Sequence, residues 1–258
     1  MTIPAAVQGF FTAIVLIAPV GHSQSFDKPL RKTVLDLGHS QYLMNNDDRD
    51  VTVTCWYYNH FMIKEQNDPG LKGAELIALA PGQPGHVPKC LHGLQPGEKE
   101  FTEWNDEYKK FVGWNGYFGG VKRDLVFLER PDGDENSGIP FAVFEADART
   151  KLFEDSVTLE ARGERHLNFL PTSPNQIVLR YLRPASAGCS IPKSGESCWR
   201  KLQQQTGLAH LPMPRCSDYE GKEAGTAASV IAYPVEVSLY PIPSVRALGG
   251  PVRCYPQE

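Results

Sequence analysis

The hydrophobic residues of this chain fall mainly into short runs that alternate with polar positions or end at glycine and proline. Residues 141–154 contain two such runs around a polar turn at 147–150, which is the pattern of a β-hairpin, and another apolar run at 125–128 precedes them. Side chains between residues 51 and 63 alternate between an apolar and a more polar face. That alternation predicts one long strand with a bulge or bend near Asn59.

Three further segments have the length and composition of strands. Residues 74–80 are bounded tightly by glycine and proline, and residues 176–182 and 230–240 are rich in aliphatic and aromatic side chains. Within the last of these segments, Pro234 lacks the N–H group that a central strand donates. We therefore expect that strand to lie at a sheet edge.

One helix is predicted at residues 197–206, with Ser197 as its N-terminal cap and Gly207 at its end. Residues 24–50 lack a regular pattern and are expected to form a polar lead-in. The remaining residues, 51–258, predict a single mainly-β domain. Its expected architecture is either a single antiparallel sandwich or an irregular propeller-like meander, with one short C-terminal helix and disulfides.

Residues 1–23 predict export of the chain. They contain no Asp, Glu, Lys or Arg, and residues 10–18 form a run that is apolar except for Thr12. That run is too short to cross a membrane, which needs roughly 20 apolar residues. Because Pro19 and small residues follow, we expect a signal peptide cleaved near Ser23 or Ser25. An uncleaved anchor and a buried N-terminal strand are the alternatives, and no later segment predicts a membrane span.

The cysteine content supports the same compartment. An even number of cysteines behind an export signal predicts disulfide bonds, and therefore a secreted or periplasmic location. Sequence proximity favours a bond between the first two cysteines, and leaves the last four to pair among themselves in an open order. The six residues are Cys55, Cys90, Cys189, Cys198, Cys216 and Cys254.

The charge balance argues against some classes of partner. The 258 residues carry a formal net charge of -4 at pH 7, and the sequence pI is about 6.0. A surface that binds nucleic acid or anionic lipid would need a basic excess. We therefore expect no nucleic-acid partner, and a carbohydrate or a protein is the class of partner that stays open.

Aromatic side chains in a glycine-rich stretch are the candidate ligand contacts. Exposed rings of this kind stack on sugars and other flat ligands, although Trp and Tyr also commonly cover a core. The candidates are Trp104, Trp114, Tyr117 and Phe118.

Oxygen-bearing side chains at alternate positions resemble the start of a calcium-binding loop. They are Asp132, Asp134 and Asn136. The pattern departs from the EF-hand at Ser137, where that loop has Gly, and at Val143, where it has a bidentate Glu. An acidic hairpin tip explains the same residues without a metal. Calcium is therefore the one cofactor to test, and no other cofactor is expected.

Catalytic signatures with a recognisable spacing do not occur: there is no nucleophile elbow, zinc-protease helix, P-loop or dinucleotide-binding motif. No catalytic residue is assigned, and the leading expectation is a non-enzymatic exported protein that is structural or binds a ligand or partner. The alternative is a hydrolase that cuts extracellular polysaccharide with two carboxylates about 5 to 10 Å apart.

Three segments carry a resemblance to known sequences. They are residues 141–147, residues 151–155 and residues 198–207. These segments resemble parts of uncharacterised exported bacterial proteins. The resemblance implies export, and it implies no activity, ligand or catalytic residue.

Overall fold

The structure is a computed structural model. The predicted signal peptide lies outside the residues that it describes. Those residues are 25–40, 49–83, 85–101, 104–105, 110–111, 116–131, 138–147, 150–158, 167–173, 176–216, 219 and 227–257.

The first sheet is a five-stranded antiparallel meander in which every strand pairs with its sequence neighbour. Its strands are β1 (Arg31–His39), β2 (Asp50–Tyr57), β3 (Phe61–Asn67), β4 (Leu76–Pro81) and β5 (Lys99–Glu100). A separate pair of two-residue strands follows, formed by β6 (Trp104–Asn105) and β7 (Lys110–Phe111).

The middle sheet is a four-stranded antiparallel meander that contains the predicted hairpin. Alternate side chains of the hairpin's first strand are buried on opposite faces: Phe141 and Val143 in one core, Ala142 and Phe144 in another. Burial on both faces explains why the two central strands, residues 125–129 and 139–145, are almost continuously apolar. The strands are β8 (Tyr117–Lys122), β9 (Leu125–Glu129), β10 (Ile139–Glu145) and β11 (Lys151–Val157).

The third sheet has five strands, and two helices precede its central strand in the chain. Trp199 and Leu202 of the second helix join the core that the third sheet shares with the middle sheet. The elements are β12 (Asn168–Phe169), β13 (Val178–Ser186), α1 (Ile191–Ser194), α2 (Glu196–Thr206), β14 (Ser229–Ser238), β15 (Ser244–Ala247) and β16 (Arg253–Pro256).

The three sheets stack in chain order, with the middle sheet between the other two. The prediction of a mainly-β antiparallel fold with disulfides is confirmed. The first and middle sheets are each a local meander, whereas in the third sheet β15 and β16 both pair with β14. The predicted helix is confirmed as α2, although its N-cap is Gly195 and the Ser197 hydroxyl donates to the Ser194 carbonyl.

The prediction of one long strand over residues 51–63 is wrong, because the chain reverses direction at residues 58–60. In the resulting hairpin Tyr57 lies opposite Met62. Odd-numbered residues of β2 therefore share a face with even-numbered residues of β3. Phe61 and Ile63 consequently pack towards the middle sheet, whereas Val53, Cys55 and Tyr57 face the outer side.

Two other expectations about the sheets are corrected. The lead-in predicted as irregular contains β1, which pairs with β2 from Arg31 to His39. The strand expected at a sheet edge, β14, has neighbours on both sides. One of its sides is shared by β15, opposite residues 235–238, and β16, opposite residues 229–232. Pro234 lies between these two stretches, where its missing N–H leaves no ladder bond unmade.

A loop covers the outer face of the first sheet. Cys90 in this loop is at disulfide distance from Cys55 of β2, as the sequence predicted. The Lys64 ammonium of β3 donates to the Gly93 carbonyl and to the Glu98 carboxylate, each at 2.5 Å, and both side chains of this ion pair are buried. We call residues 82–98 the covering loop.

The last four cysteines also pair among themselves, as expected. Cys189 is at disulfide distance from Cys198, and Cys216 from Cys254. The second pair ties the C-terminal strand β16 to the chain before the third sheet's central strand. Three such pairs are consistent with an oxidising compartment.

Candidate functional site

A cavity of about 670 Å³ lies at the end of the first sheet, beside the turn between β2 and β3. We call it the hairpin cavity. Three separate segments line it: the start of β1, the β2–β3 turn and the beginning of the covering loop. The lining residues are 30–31, 57–61, 82–83 and 85–88.

The aromatic side of the cavity comes from the hairpin turn. The Tyr58 N–H donates to the Phe61 carbonyl at 2.8 Å, which closes the turn and brings the two rings to a centroid distance of 5.4 Å. The Arg31 guanidinium carbon lies 3.9 Å from the centroid of the Tyr57 ring. This cation–π contact orients a positive charge beside the aromatic surface.

The opposite side comes from the covering loop. The Gly82 N–H donates to the His60 carbonyl at 2.7 Å, and a Cβ at position 82 would lie 2.9 Å from that oxygen. Only glycine permits so close an approach of the loop to the turn. The chain then turns back, with the His86 N–H donating to the Gln83 carbonyl at 2.9 Å. Val87 follows and is highly exposed on the rim.

A smaller cavity of about 340 Å³ adjoins the hairpin cavity and shares Tyr58 and His60 with it. Burial, together with the nearby Asp27 carboxylate, raises the pKa of Tyr58 to about 12. Its hydroxyl is therefore a neutral hydrogen-bond donor at physiological pH. Asp27 and Asp124 both line this smaller cavity.

Both carboxylate oxygens of Asp27 already have partners. Oδ1 lies 3.2 Å from the Lys122 ammonium, and Oδ2 accepts the Arg123 N–H at 2.5 Å. The Asp27 N–H in turn donates to the Val121 carbonyl at 2.8 Å. Asp27 therefore fastens the segment before β1 to the turn between β8 and β9, and this gives it a structural role.

The hairpin cavity is lined by apolar surface together with one guanidinium and two imidazoles. Among the described residues that line it, Arg31 carries the guanidinium, His60 and His86 carry the imidazoles, and none is acidic. Tyr57, Tyr58 and Phe61 offer ring surface, while Leu30 and Val87 add exposed aliphatic surface. Such a site suits a ligand that combines an apolar body with an anionic group.

Two of the aromatic residues predicted to contact a ligand, Tyr117 and Phe118, do not line the hairpin cavity. Tyr117 and Phe118 of β8 pack on the core between the first and middle sheets. The Tyr117 hydroxyl accepts the Gly73 N–H at 3.1 Å, and the Phe118 ring lies 4.6 Å from that of Trp56. Trp104 lies on β6, and Trp114 lies outside the described residues.

A buried carboxylate lies beside these rings. The Glu65 carboxylate accepts the Phe118 N–H at 2.5 Å, and burial raises its pKa above the ordinary value of 4.5. The structure places this group between two sheets and away from the lining of the hairpin cavity. We therefore treat it as part of the scaffold.

A second polar cluster joins the middle and third sheets. Asp155 of β11 accepts hydrogen bonds from the Tyr181 hydroxyl and, at 2.8 Å, from the Arg183 Nε. Burial, with the Asp155 carboxylate adding to the effect, raises the pKa of Tyr181 far above its ordinary range. Each acceptor oxygen of Asp155 has a donor, which is the arrangement of a structural network.

The predicted calcium ligands Asp132, Asp134 and Asn136 lie outside the described residues. Within the described part of the chain, no group of three or more His, Cys, Asp or Glu side chains is placed to hold a metal ion. His86 and His92 flank Cys90 in the covering loop, but that sulfur is at disulfide distance from Cys55. It is therefore not available as a thiolate ligand.

Comparison with known proteins gave no match to any family model, curated protein or solved structure. Among the described residues, no helix has the length and apolar character needed to cross a membrane.

The sequence contained one unused signal for the hairpin cavity. Residues 56–61 are Trp-Tyr-Tyr-Asn-His-Phe, an aromatic run interrupted by two turn-forming polar residues. The cavity also needs Arg31 and the covering loop, which are distant in sequence from that run. No local pattern could place these three segments together.

Proposed function

We propose that this chain is an exported, secreted or periplasmic binding protein that acts without catalysis and takes a small ligand into the hairpin cavity. The observation that carries the proposal is the lining itself: aromatic rings on one side, and an oriented guanidinium with two imidazoles at the rim. The ligand class that fits is an amphipathic organic anion with an aromatic or aliphatic body.

The cavity is large enough for this role. About 670 Å³ lies within the usual range of roughly 300 to 1,000 Å³ for small-molecule sites. Its walls are also held in place, because Gly82 is hydrogen-bonded to the turn and the covering loop is tied to β2 through Cys90. A site that is formed before binding loses less free energy on ordering.

A pair of fluorescent probes tests the proposal. Anilinonaphthalene sulfonate carries a sulfonate, and phenylnaphthylamine has the same ring system without that charge. We expect one equivalent of the sulfonate to bind the folded protein, and the neutral probe to bind at least about tenfold more weakly. A hydrogen-bonded charge contributes about 1.5 to 3 kcal/mol, which corresponds to roughly 10- to 100-fold in affinity.

Two variants assign the site. Arg31→Met keeps an apolar side chain on Tyr57 but removes the charge, and should reduce sulfonate affinity about tenfold with little effect on the neutral probe. Arg246→Met is the matched control, because Arg246 is an exposed arginine of the third sheet that pairs with Glu236. Equal binding of the two probes, or equal effects of the two variants, would reject the hairpin cavity as the site of an anion.

The alternative function is hydrolysis of an extracellular polysaccharide by two carboxylates. The observation that favours it is that Asp27 and Asp124 line the same small cavity beside Tyr58. Against it, both oxygens of Asp27 are already engaged by Lys122 and Arg123. Release of reducing sugar from a polysaccharide panel, lost in Asp124→Asn and retained in Arg31→Met, would establish the alternative and refute binding without catalysis.

A further inference from the structure

The first strand of the first sheet has an outer edge that no other described strand pairs with. β1 is nine residues long, and two of its apolar side chains are prominently exposed, Val34 at 54% and Leu37 at 41%. The comparable edge of the middle sheet is better covered: beside β8, the Asp27 N–H donates to the Val121 carbonyl and the Ala74 N–H to the Gly116 carbonyl. A long exposed edge is a template for pairing with another strand.

We propose that β1 pairs with β1 of a second copy, giving a two-fold symmetric dimer through a continuous antiparallel sheet. A two-fold axis perpendicular to the sheet places like faces of the two strands side by side. Moving this axis by one residue along β1 shifts the partner strand by two residues. Regular pairing of β1 with β2 extends to Asp36, where a register shift begins. The regular part of the edge is therefore Arg31 to Asp36, and Val34 is one of the two residues at its middle.

The register centred on Val34 is self-complementary. It places Val34 of one copy against Val34 of the other, and Lys32 against Asp36 at both ends. Opposite charges directly across from each other stabilise a strand pair, whereas mismatched pairs do not. Moving the centre by one residue in either direction would lose both Lys32–Asp36 pairs and set Lys32 or Asp36 against Val34. The register centred on Val34 is therefore favoured, although it places Arg31 opposite Leu37.

The two charged side chains of the proposed pairs, Lys32 and Asp36, are each held by a contact within their own copy. Lys32 lies 5.5 Å from the centroid of the Trp56 ring, and the Asp36 carboxylate accepts the Gly38 N–H at 2.8 Å, which leaves its other oxygen for a partner. Lys32, Val34 and Asp36 do not line the hairpin cavity. Arg31 at the start of β1 does line that cavity, so charge reversal at Lys32 and Asp36 tests the dimer without changing a residue of the ligand site.

Charge reversal tests the register through sedimentation velocity over about 1 to 200 μM, a range that brackets the weak to moderate affinity of a small interface. Wild type should show a concentration-dependent monomer–dimer equilibrium. Lys32→Asp and Asp36→Lys should each weaken association at least tenfold. A mixture of the two variants should associate again, because every acidic position then faces a lysine, and the double variant should regain dimerisation alone.

Lys151→Asp is the control for net charge, because Lys151 lies on β11 and pairs with Glu154. Each variant is first shown by circular dichroism and thermal unfolding to be folded like wild type. A wild type that stays monomeric across the range would overturn the proposal. So would a dimer that is unaffected by Lys32→Asp, or a mixture of the single variants that does not associate.

Discussion

The ion pair beneath the covering loop is the contact whose removal should cost most. The Lys64 side chain is fully buried and that of Glu98 is 5% exposed, and their charged atoms are 2.5 Å apart. Lys64 also donates to the Gly93 carbonyl, and Glu98 also accepts the Gln95 N–H at 2.8 Å. Removing either charge leaves the other one buried without its partner.

Lys64→Met keeps most of the apolar stem and removes the ammonium. Loss of one member of a buried pair costs about 3 to 5 kcal/mol of unfolding free energy. Glu98→Gln should cost a similar amount, although its amide oxygen can still accept from Gln95. The double variant has no stranded charge, so we expect its loss to be at least about 2 kcal/mol smaller than the sum of the two single losses.

Urea unfolding under non-reducing conditions measures these differences without adding salt. Lys151→Met is the matched control, because Lys151 and Glu154 form a similar contact at 2.6 Å on an exposed surface. Exposed pairs contribute about 0 to 1 kcal/mol. If Lys64→Met cost no more than Lys151→Met, or if the double variant lost the full sum, burial would not govern the strength of this pair.

Three further variants address other parts of the scaffold. Because burial raises the pKa of Glu65, the wild type should lose stability as the pH rises through that pKa. Glu65→Gln should remove this loss. If the melting temperatures of the two proteins changed in parallel from pH 4 to 8, the prediction would be contradicted. Gly138 has φ of +80°, and an added Cβ would lie 2.6 Å from a carbonyl oxygen, so Gly138→Ala should lower the free energy of unfolding in urea by at least about 2 kcal/mol. Gly97 is the control, because it has φ of +85° but open space around it. Gly97→Ala should lower the free energy of unfolding by about 1 kcal/mol. Asp155→Ala should cost about 1.5 to 3 kcal/mol in the same assay, and no loss would show that its network is not structural.

Much of the fold could be predicted because its signals are local. The hairpin at residues 141–154 and the helix ending at Gly207 each depend on a short stretch, and the order of the cysteines along the chain was enough to suggest the pairing of Cys55 with Cys90 across 35 residues. The reversal at residues 58–60 was missed because β2 and β3 keep one alternation across the turn. Only the pairing register shows that Phe61 faces the opposite side from Tyr57.

The same reversal hides the most important buried charge. In a single strand, Lys64 would lie on the polar face, but in the hairpin it lies opposite Cys55 on the face that the covering loop encloses. Its partner Glu98 is 34 residues away, so no periodicity links the two. The hairpin cavity was missed for a related reason, since Arg31, Tyr57 and His86 come from three segments.

The stacking order of the sheets explains where binding surfaces can occur. The middle sheet is buried on both faces, because side chains such as Phe141 and Phe144 enter different cores. The side chains of its two central strands, β9 and β10, are therefore mostly enclosed, and we treat the hairpin as scaffold. The first sheet packs on the shared core with its inner face, and a smaller buried cluster lies on its outer face beneath the covering loop. Its outer face carries the covering loop, its turn and that loop enclose the hairpin cavity, and its edge strand β1 is the surface proposed for a second copy. Because Arg31 belongs to β1 as well as to the cavity lining, the variant that separates the two proposals is Asp36→Lys, which should weaken the dimer and leave probe affinity as in wild type.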